Sequence, residues 1–178
     1  MNNTTNLTAG NFYFVSGKVN YSMLTRQCTD EEREASNNRT GNFMGANYYT
    51  LSLTDATVMV DDENNPTPEQ QYAKSNCYTS KDGVTCYRGY RFSSFKPDVY
   101  IKNDDTGEYD KVDLTREIPK GVPVKVAFQV YESNSRLNVS IYKVFVDEDF
   151  RKKSCSSFTT QLKKLGIVIS QESYGKED

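Results

Sequence analysis

The sequence predicts a mainly β protein, a five-stranded antiparallel barrel with extra hairpins and two or three short helices. Three observations lead there. Apolar and polar residues alternate with a period of two in several runs, the pattern of half-buried strands. Clusters of Asn, Asp, Ser and Gly separate these runs at hairpin spacing. Helix-start signals open only short segments. At 178 residues the chain fits one domain with a core of its own. No internal repeat and no linker divides it. The expected organisation is a flexible N-terminus over residues 1–10, one barrel domain over 11–170 and a short polar tail over 171–178.

Residues 12–21 open the barrel. Phe12 and Phe14 alternate with Tyr13 and Val15, and Gly17 marks a kink or bulge before Lys18-Val19. Residues 28–45 are charged and rich in Asn. Thr29-Asp30-Glu31-Glu32 is a capping box, with Thr29 at the N-cap and Glu32 at N3. Ser36-Asn37-Asn38 predicts that this helix stops early, followed by a mobile loop. Residues 48–60 read as a second long strand, with a bulge before Ala56. Thr67-Pro68-Glu69-Gln70 starts a second helix, Pro68 at N1 and Gln70 at N3, running to about Lys74. Residues 76–79 and 84–92 flank Lys81-Asp82-Gly83 as a hairpin, and residues 99–102 and 108–113 flank Asp104-Asp105-Thr106-Gly107 as another. The clearest pair is 124–131 with 137–146 around Ser133-Asn134-Ser135. Residues 158–165 read as a short helix closed by Gly166, and 166–169 as a last short strand.

The segment Tyr87-Arg88-Gly89-Tyr90-Arg91-Phe92-Ser93-Ser94-Phe95-Lys96 interleaves rings and cations within ten residues. On a strand, Arg88, Tyr90 and Phe92 share one face and Tyr87, Gly89 and Arg91 the other. Rings beside positive charge suit single-stranded nucleic acid, because bases stack on rings and phosphates need neutralising. The same pattern also suits a half-buried strand with its rings inward and its arginines in water. Tyr13, Lys18, Tyr21, Arg26, Tyr48, Tyr100 and Lys102 extend the set over several strands. With Tyr87, Arg88, Tyr90, Arg91, Phe92 and Lys96 they form the candidate nucleic-acid-binding residues. Formal net charge is −2, so anion binding has to use a local patch rather than global attraction.

The chain has no histidine, which excludes Ser-His and Cys-His catalysis and His-metal chemistry. Cys28, Cys77, Cys86 and Cys155 show no C-x-x-C spacing, so neither a zinc site nor any other metal or cofactor is expected. Cys77 and Cys86 flank a turn, and whether they pair stays open. The polar start and the lack of a long apolar run point to a cytoplasmic protein with reduced thiols and no membrane contact. The acidic runs Asp30-Glu31-Glu32 and Asp61-Asp62-Glu63 read as solvated charge. Gly41-Asn42-Phe43-Met44-Gly45 lacks the Lys-Ser/Thr of a phosphate loop. Arg151-Lys152-Lys153 and Lys163-Lys164 extend a basic groove or complement a helix end, and both readings stay open.

Residues 11–20, Asn-Phe-Tyr-Phe-Val-Ser-Gly-Lys-Val-Asn, resemble the opening strand of single-stranded DNA-binding proteins from bacteriophages and mobile elements, of the T7-like OB-fold type. Residues 117–131 with 137–148 resemble that family's closing strand pair. The resemblance covers about a third of the chain. It implies an OB barrel that binds single strands along one face through aromatic and basic residues. Those proteins end in a long acidic tail that docks replication partners. Here the tail is short and carries Lys176, so the resemblance does not extend to that feature. The expectation is a non-enzymatic, sequence-tolerant single-stranded DNA-binding protein of phage or plasmid replication or recombination. RNA binding, contacts with replication or recombination proteins, and a monomer or homodimer stay open. The alternative is a β-sandwich protein-interaction or virion protein.

Overall fold

The computed structural model describes residues 6–151 and 161–167. The chain divides into two compact units, Met1–Glu148 and Asp149–Asp178. The first holds one open eight-stranded sheet in the order β3-β4-β2-β1-β7-β8-β5-β6. Its strands are β1 (Phe12–Met23), β2 (Tyr49–Met59), β3 (Tyr78–Thr79), β4 (Thr85–Arg91), β5 (Asp98–Lys102), β6 (Tyr109–Val112), β7 (Pro123–Ser133) and β8 (Arg136–Val146). Two helices join it, α1 (Asp30–Thr40) and α2 (Pro68–Asn76). In the second unit residues 150–151 and 161–164 are helical, which meets the predicted short helix in part. The predicted last strand falls mostly outside the described residues.

The expected strand count and purely antiparallel pairing need correction. Among the described residues there are eight strands, and β5 pairs with β8 in parallel, so the sheet is mixed. The two hairpins read as extras add strands to both ends of one sheet rather than standing apart. Ladder hydrogen bonding does not close the sheet, yet it curls. β4 and β8 both run parallel to β1, because each is two antiparallel steps away. The Arg91 Nη1 group donates to the Ile141 carbonyl at 2.9 Å across that seam. Gly89 permits the approach, because a Cβ there would stand 2.4 Å from Phe128 Cε1 and 3.0 Å from Ile141 Cγ1.

Alternation places Tyr13, Val15, Val19, Leu51, Leu53, Val124, Val126, Val130, Ile141 and Val144 in the core. The bulge expected at Gly17 is present: Ser16 pairs with Thr57 and Lys18 with Thr54, so Asp55 and Ala56 together stand opposite the single residue Gly17. Asp55 takes φ 50° there. Both capping boxes form, Thr29 with Glu32 and Thr67 with Gln70. α1 continues through Ser36-Asn37-Asn38 and ends at Gly41, against the early stop expected. Asn37 is the reason. Its amide does not compete for helical backbone, because it donates to Met44 O at 3.1 Å and accepts from Met44 N at 2.9 Å. That pair also ties down the loop expected to be mobile. The Glu117 carboxylate accepts from Leu24 N at 2.6 Å, Thr25 N at 3.0 Å and Ser22 Oγ at 3.0 Å, pinning the chain where β1 leads into α1. Cys28, Cys77 and Cys86 are free thiols. Among the described residues no helix is long and apolar enough to cross a membrane.

Candidate nucleic-acid interface

The outward residues of β2 and β4 are Thr50 and Ser52 opposite Tyr90 and Arg88. α1 lies over this face and turns it into a groove with two recesses. One has a volume of about 520 Å³ and is walled by Tyr72 and Asn76 of α2, Tyr78 of β3, and Ser36, Thr40 and Asn42. Tyr13, Tyr48, Tyr87, Gly89 and Phe128 are its buried residues. The second, about 410 Å³, runs between Tyr21, Met23 and Thr50 of the sheet and Glu32, Ala35 and Arg39 of α1. Ser36, Tyr48 and Arg88 line both recesses, so Arg88 stands between them. The helical spacing of Glu32, Ala35, Ser36 and Arg39 puts them on one face of α1.

The aromatic packing is specific. Tyr48 meets Tyr90 edge-on at 5.0 Å, and Tyr90 stacks on Phe92 at 6.3 Å with 19° between planes. The Arg88 guanidinium rests over the Tyr90 ring at 5.5 Å. Below them Tyr13 lies against Phe128 at 5.0 Å, and the Tyr13 and Tyr87 hydroxyls share one hydrogen bond of 2.5 Å. Burial pushes the pKa of both far above the ordinary tyrosine value. Burial also raises Tyr72 and Tyr90, the Arg88 charge partly opposing it at Tyr90.

Arg88 differs from the arginines around it. Arg26 is held by both Glu32 oxygens at 2.7 and 3.2 Å. Arg33 bonds Asn47 at 2.7 Å and lies 3.5 Å from Asp30. Arg91 donates to the Phe95 and Ile141 carbonyls. Arg88 makes no hydrogen bond or ion pair to any described residue, and its Nε is buried without an acceptor. An unsatisfied buried donor costs roughly 1–3 kcal/mol, and more when charged.

The sequence-predicted residues therefore separate. Arg88, Tyr90 and Phe92 come together with Tyr48 at the groove, and Tyr21, 46% exposed, lines its second recess. Tyr13, Tyr48 and Tyr87 are buried, so their rings are not free surfaces for a base. The reading of them as stacking residues is corrected: Tyr13 and Tyr87 belong to the core, and Tyr48 supports Tyr90. Arg91 is consumed by the seam, and Arg26 by Glu32. Lys18 sits midway along the β1–β2 pair, next to the bulge, with Asp55 3.7 Å away. Lys96 lines a separate recess with Asp98 and Lys111, and Tyr100 and Lys102 lie on β5. Sequence reasoning missed Tyr72, Tyr78 and Arg39. Tyr78 was within reach, because the predicted hairpin pairs it with Cys86, two residues from Arg88. Tyr72 and Arg39 needed the positions of the helices.

No protein-family model matches the chain, and no curated protein does. Among solved structures it is similar to a single-stranded DNA-binding protein from bacteriophage Enc34, C-terminal truncation, at 16% identity and a TM-score of 0.38. The match spans 76% of this chain and 86% of that one. The likeness is remote, and the functional reading rests on the groove.

Proposed function

We propose that the groove over β2 and β4 binds single-stranded DNA without a required sequence, and that the protein is a non-enzymatic binding module of phage or plasmid replication or recombination. The observation that carries this is Arg88, a cation with no protein partner among the described residues, laid on a ring in a cleft of tyrosines. Tyr78 at 48% exposed, Phe92 at 37% and the half-buried Tyr90 offer faces for bases, and Arg39 adds a second cation. Stacking with local positive charge is what single-strand binding requires. The strand arrangement supports the same reading. The curl β4-β2-β1-β7-β8, with β4 and β8 side by side in parallel, has the course of an OB barrel, whose second and third strands form the usual oligonucleotide face. Here those strands are β2 and β4.

The test is anisotropy of labelled oligo-dT at two salt concentrations, beside oligo-U and a duplex. Oligo-dT should bind, with log K falling by about 0.7 per neutralised phosphate for each decade of salt. No oligo-dT binding at low salt would falsify the proposal, as would tighter binding to the duplex. Preference for oligo-U would transfer the groove to RNA.

A further inference from the structure

The larger recess is more selective than sequence-tolerant binding needs. Its walls present rings, as any single-strand groove does, and among hydroxyls and amides that both donate and accept it holds one donor-only group, the Arg88 guanidinium. Arg88 carries only N–H groups, and none of them is accepted by a described residue. The Tyr13 and Tyr87 hydroxyls hold two hydrogens between them and make one hydrogen bond to each other, with no other partner among the described residues. Both residues lie in the core, so this pair closes the floor of the recess. The Asn42 side-chain amide also makes no hydrogen bond to a described residue and stands at the wall. A flat ligand matching this wall has adjacent acceptors on one edge. Guanine has N7 and O6 side by side, the pair an arginine fork meets with two hydrogen bonds. Adenine offers N7 beside a donor, and unpaired cytosine sets its N3 and O2 acceptors beside the N4 donor. Thymine places a methyl group next to O4.

We infer that the recess between α2, β3 and β4 takes one guanine base of the bound strand, stacked against the tyrosine wall and held by Arg88 through N7 and O6. This rests on the strand-binding reading and refines it: the groove tolerates any sequence and prefers one guanine at one position. The rest of the strand is held by stacking on the remaining rings, which every base can satisfy.

The experiment compares short oligo-dT with the same oligonucleotide carrying one central dG, one central 7-deaza-dG, or one abasic site. A single dG suffices, because the strand can slide until that base meets the recess. The dG oligonucleotide should bind about tenfold tighter than oligo-dT, within the range of a bidentate arginine–guanine contact. The 7-deaza base lacks the N7 acceptor and should lose most of that gain. The abasic strand should bind no better than oligo-dT. Arg88→Lys keeps the charge and loses the fork, so it should abolish the difference between dG and 7-deaza-dG, with melting curves confirming the fold. Equal affinity of the parent protein for oligo-dT, dG and 7-deaza-dG strands overturns the inference and leaves strand binding standing. Titration of dGMP, 7-deaza-dGMP and dTMP, followed by tyrosine fluorescence, separates the two ideas further. Selective dGMP binding without any oligonucleotide binding keeps the guanine site and removes the strand. Absence of both removes both.

Discussion

On the groove side Arg88 lies over Tyr90, and no described residue supplies a carboxylate, carbonyl or amide to receive its hydrogens. Further round the sheet, the outer surface of β8, β5 and β6 also mixes rings and cations. Lys143 stands 5.4 Å from the Tyr100 ring and 5.2 Å from the Tyr142 ring. Tyr100 stacks on Phe145 at 5.2 Å, and Phe12 meets Tyr142 at 5.1 Å. There Lys125 and Lys111 are paired with carboxylates, and Lys143 has the Tyr100 hydroxyl beside it. Both Asp147 oxygens hold Lys125 at 2.9 Å, the Tyr109 hydroxyl donates to Asp147, and Lys111 lies 3.2 Å from Asp98. The Tyr100 hydroxyl beside Lys143 holds its pKa above the ordinary lysine value. The groove has α1 for a wall and buried residues for a floor, and no described helix walls this second surface. The two regions show that a composition of rings and cations does not mark a site. An unpaired cation in a concave cleft does, because its hydrogen bonds are still to be made.

The largest expected effect separates the floor of the groove from the outer rings. Tyr13 and Tyr87 stay protonated in the fold well above the pH at which the unfolded chain loses those protons, near 10.0. Their contribution is complete below that pH and is lost as pH rises toward the folded values, because the unfolded state then binds fewer protons. Unfolding free energy should fall by about 1.4 kcal/mol per pH unit for each of them above about pH 10. Urea melts across this range measure it, and the Tyr13→Phe, Tyr87→Phe double variant should flatten the dependence. An unaltered slope in that variant would move the effect to other tyrosines.

Gly89→Val comes next. Its side chain would meet Phe128 and Ile141 at the seam, and such overpacking costs about 1–3 kcal/mol. A lower urea midpoint is expected, and an unshifted one would mean that β4 and β8 are not held together there.

Tyr90→Ala and Tyr100→Ala set the two surfaces against each other. The first should weaken oligo-dT binding by about 1–3 kcal/mol, the range for loss of one stacked base, and the second should leave it unchanged. The reverse result would move the strand to the outer rings of β8 and β5. The smallest effect is in the salt dependence. Arg39→Ala should shallow the slope of log K by about 0.7, one phosphate on a single strand, and Lys143→Ala should not alter it. Equal slopes in all three proteins would take Arg39 out of the path of the strand.

Much of the local structure was legible because it depends on near neighbours in the chain. The capping boxes at Thr29 and Thr67, the bulge at Gly17, the three hairpins and the division of β4 into an Arg88-Tyr90 face and a Tyr87-Gly89-Arg91 face follow from spacing and side-chain chemistry. The extent of α1 was misread because the partner of Asn37 is the Met44 backbone across a loop.

What the sequence determined alone was a set of strands, their turns and the side chains sharing each face, since a period of two and a short-range hydrogen bond need no knowledge of the rest of the molecule. The tertiary structure decided which rings remain surface and which cations remain unpaired. Tyr87 and Tyr90 are equally aromatic and three residues apart, yet the curl of the sheet buries one against Phe128 and leaves the other beneath Arg88 at the groove. Arg91 and Arg88 are equally basic, yet the same curl brings the Ile141 carbonyl to Arg91 and, among the described residues, no acceptor to Arg88. Burial and pairing depend on distant segments brought together by packing, and no local pattern encodes which of two like residues they will reach.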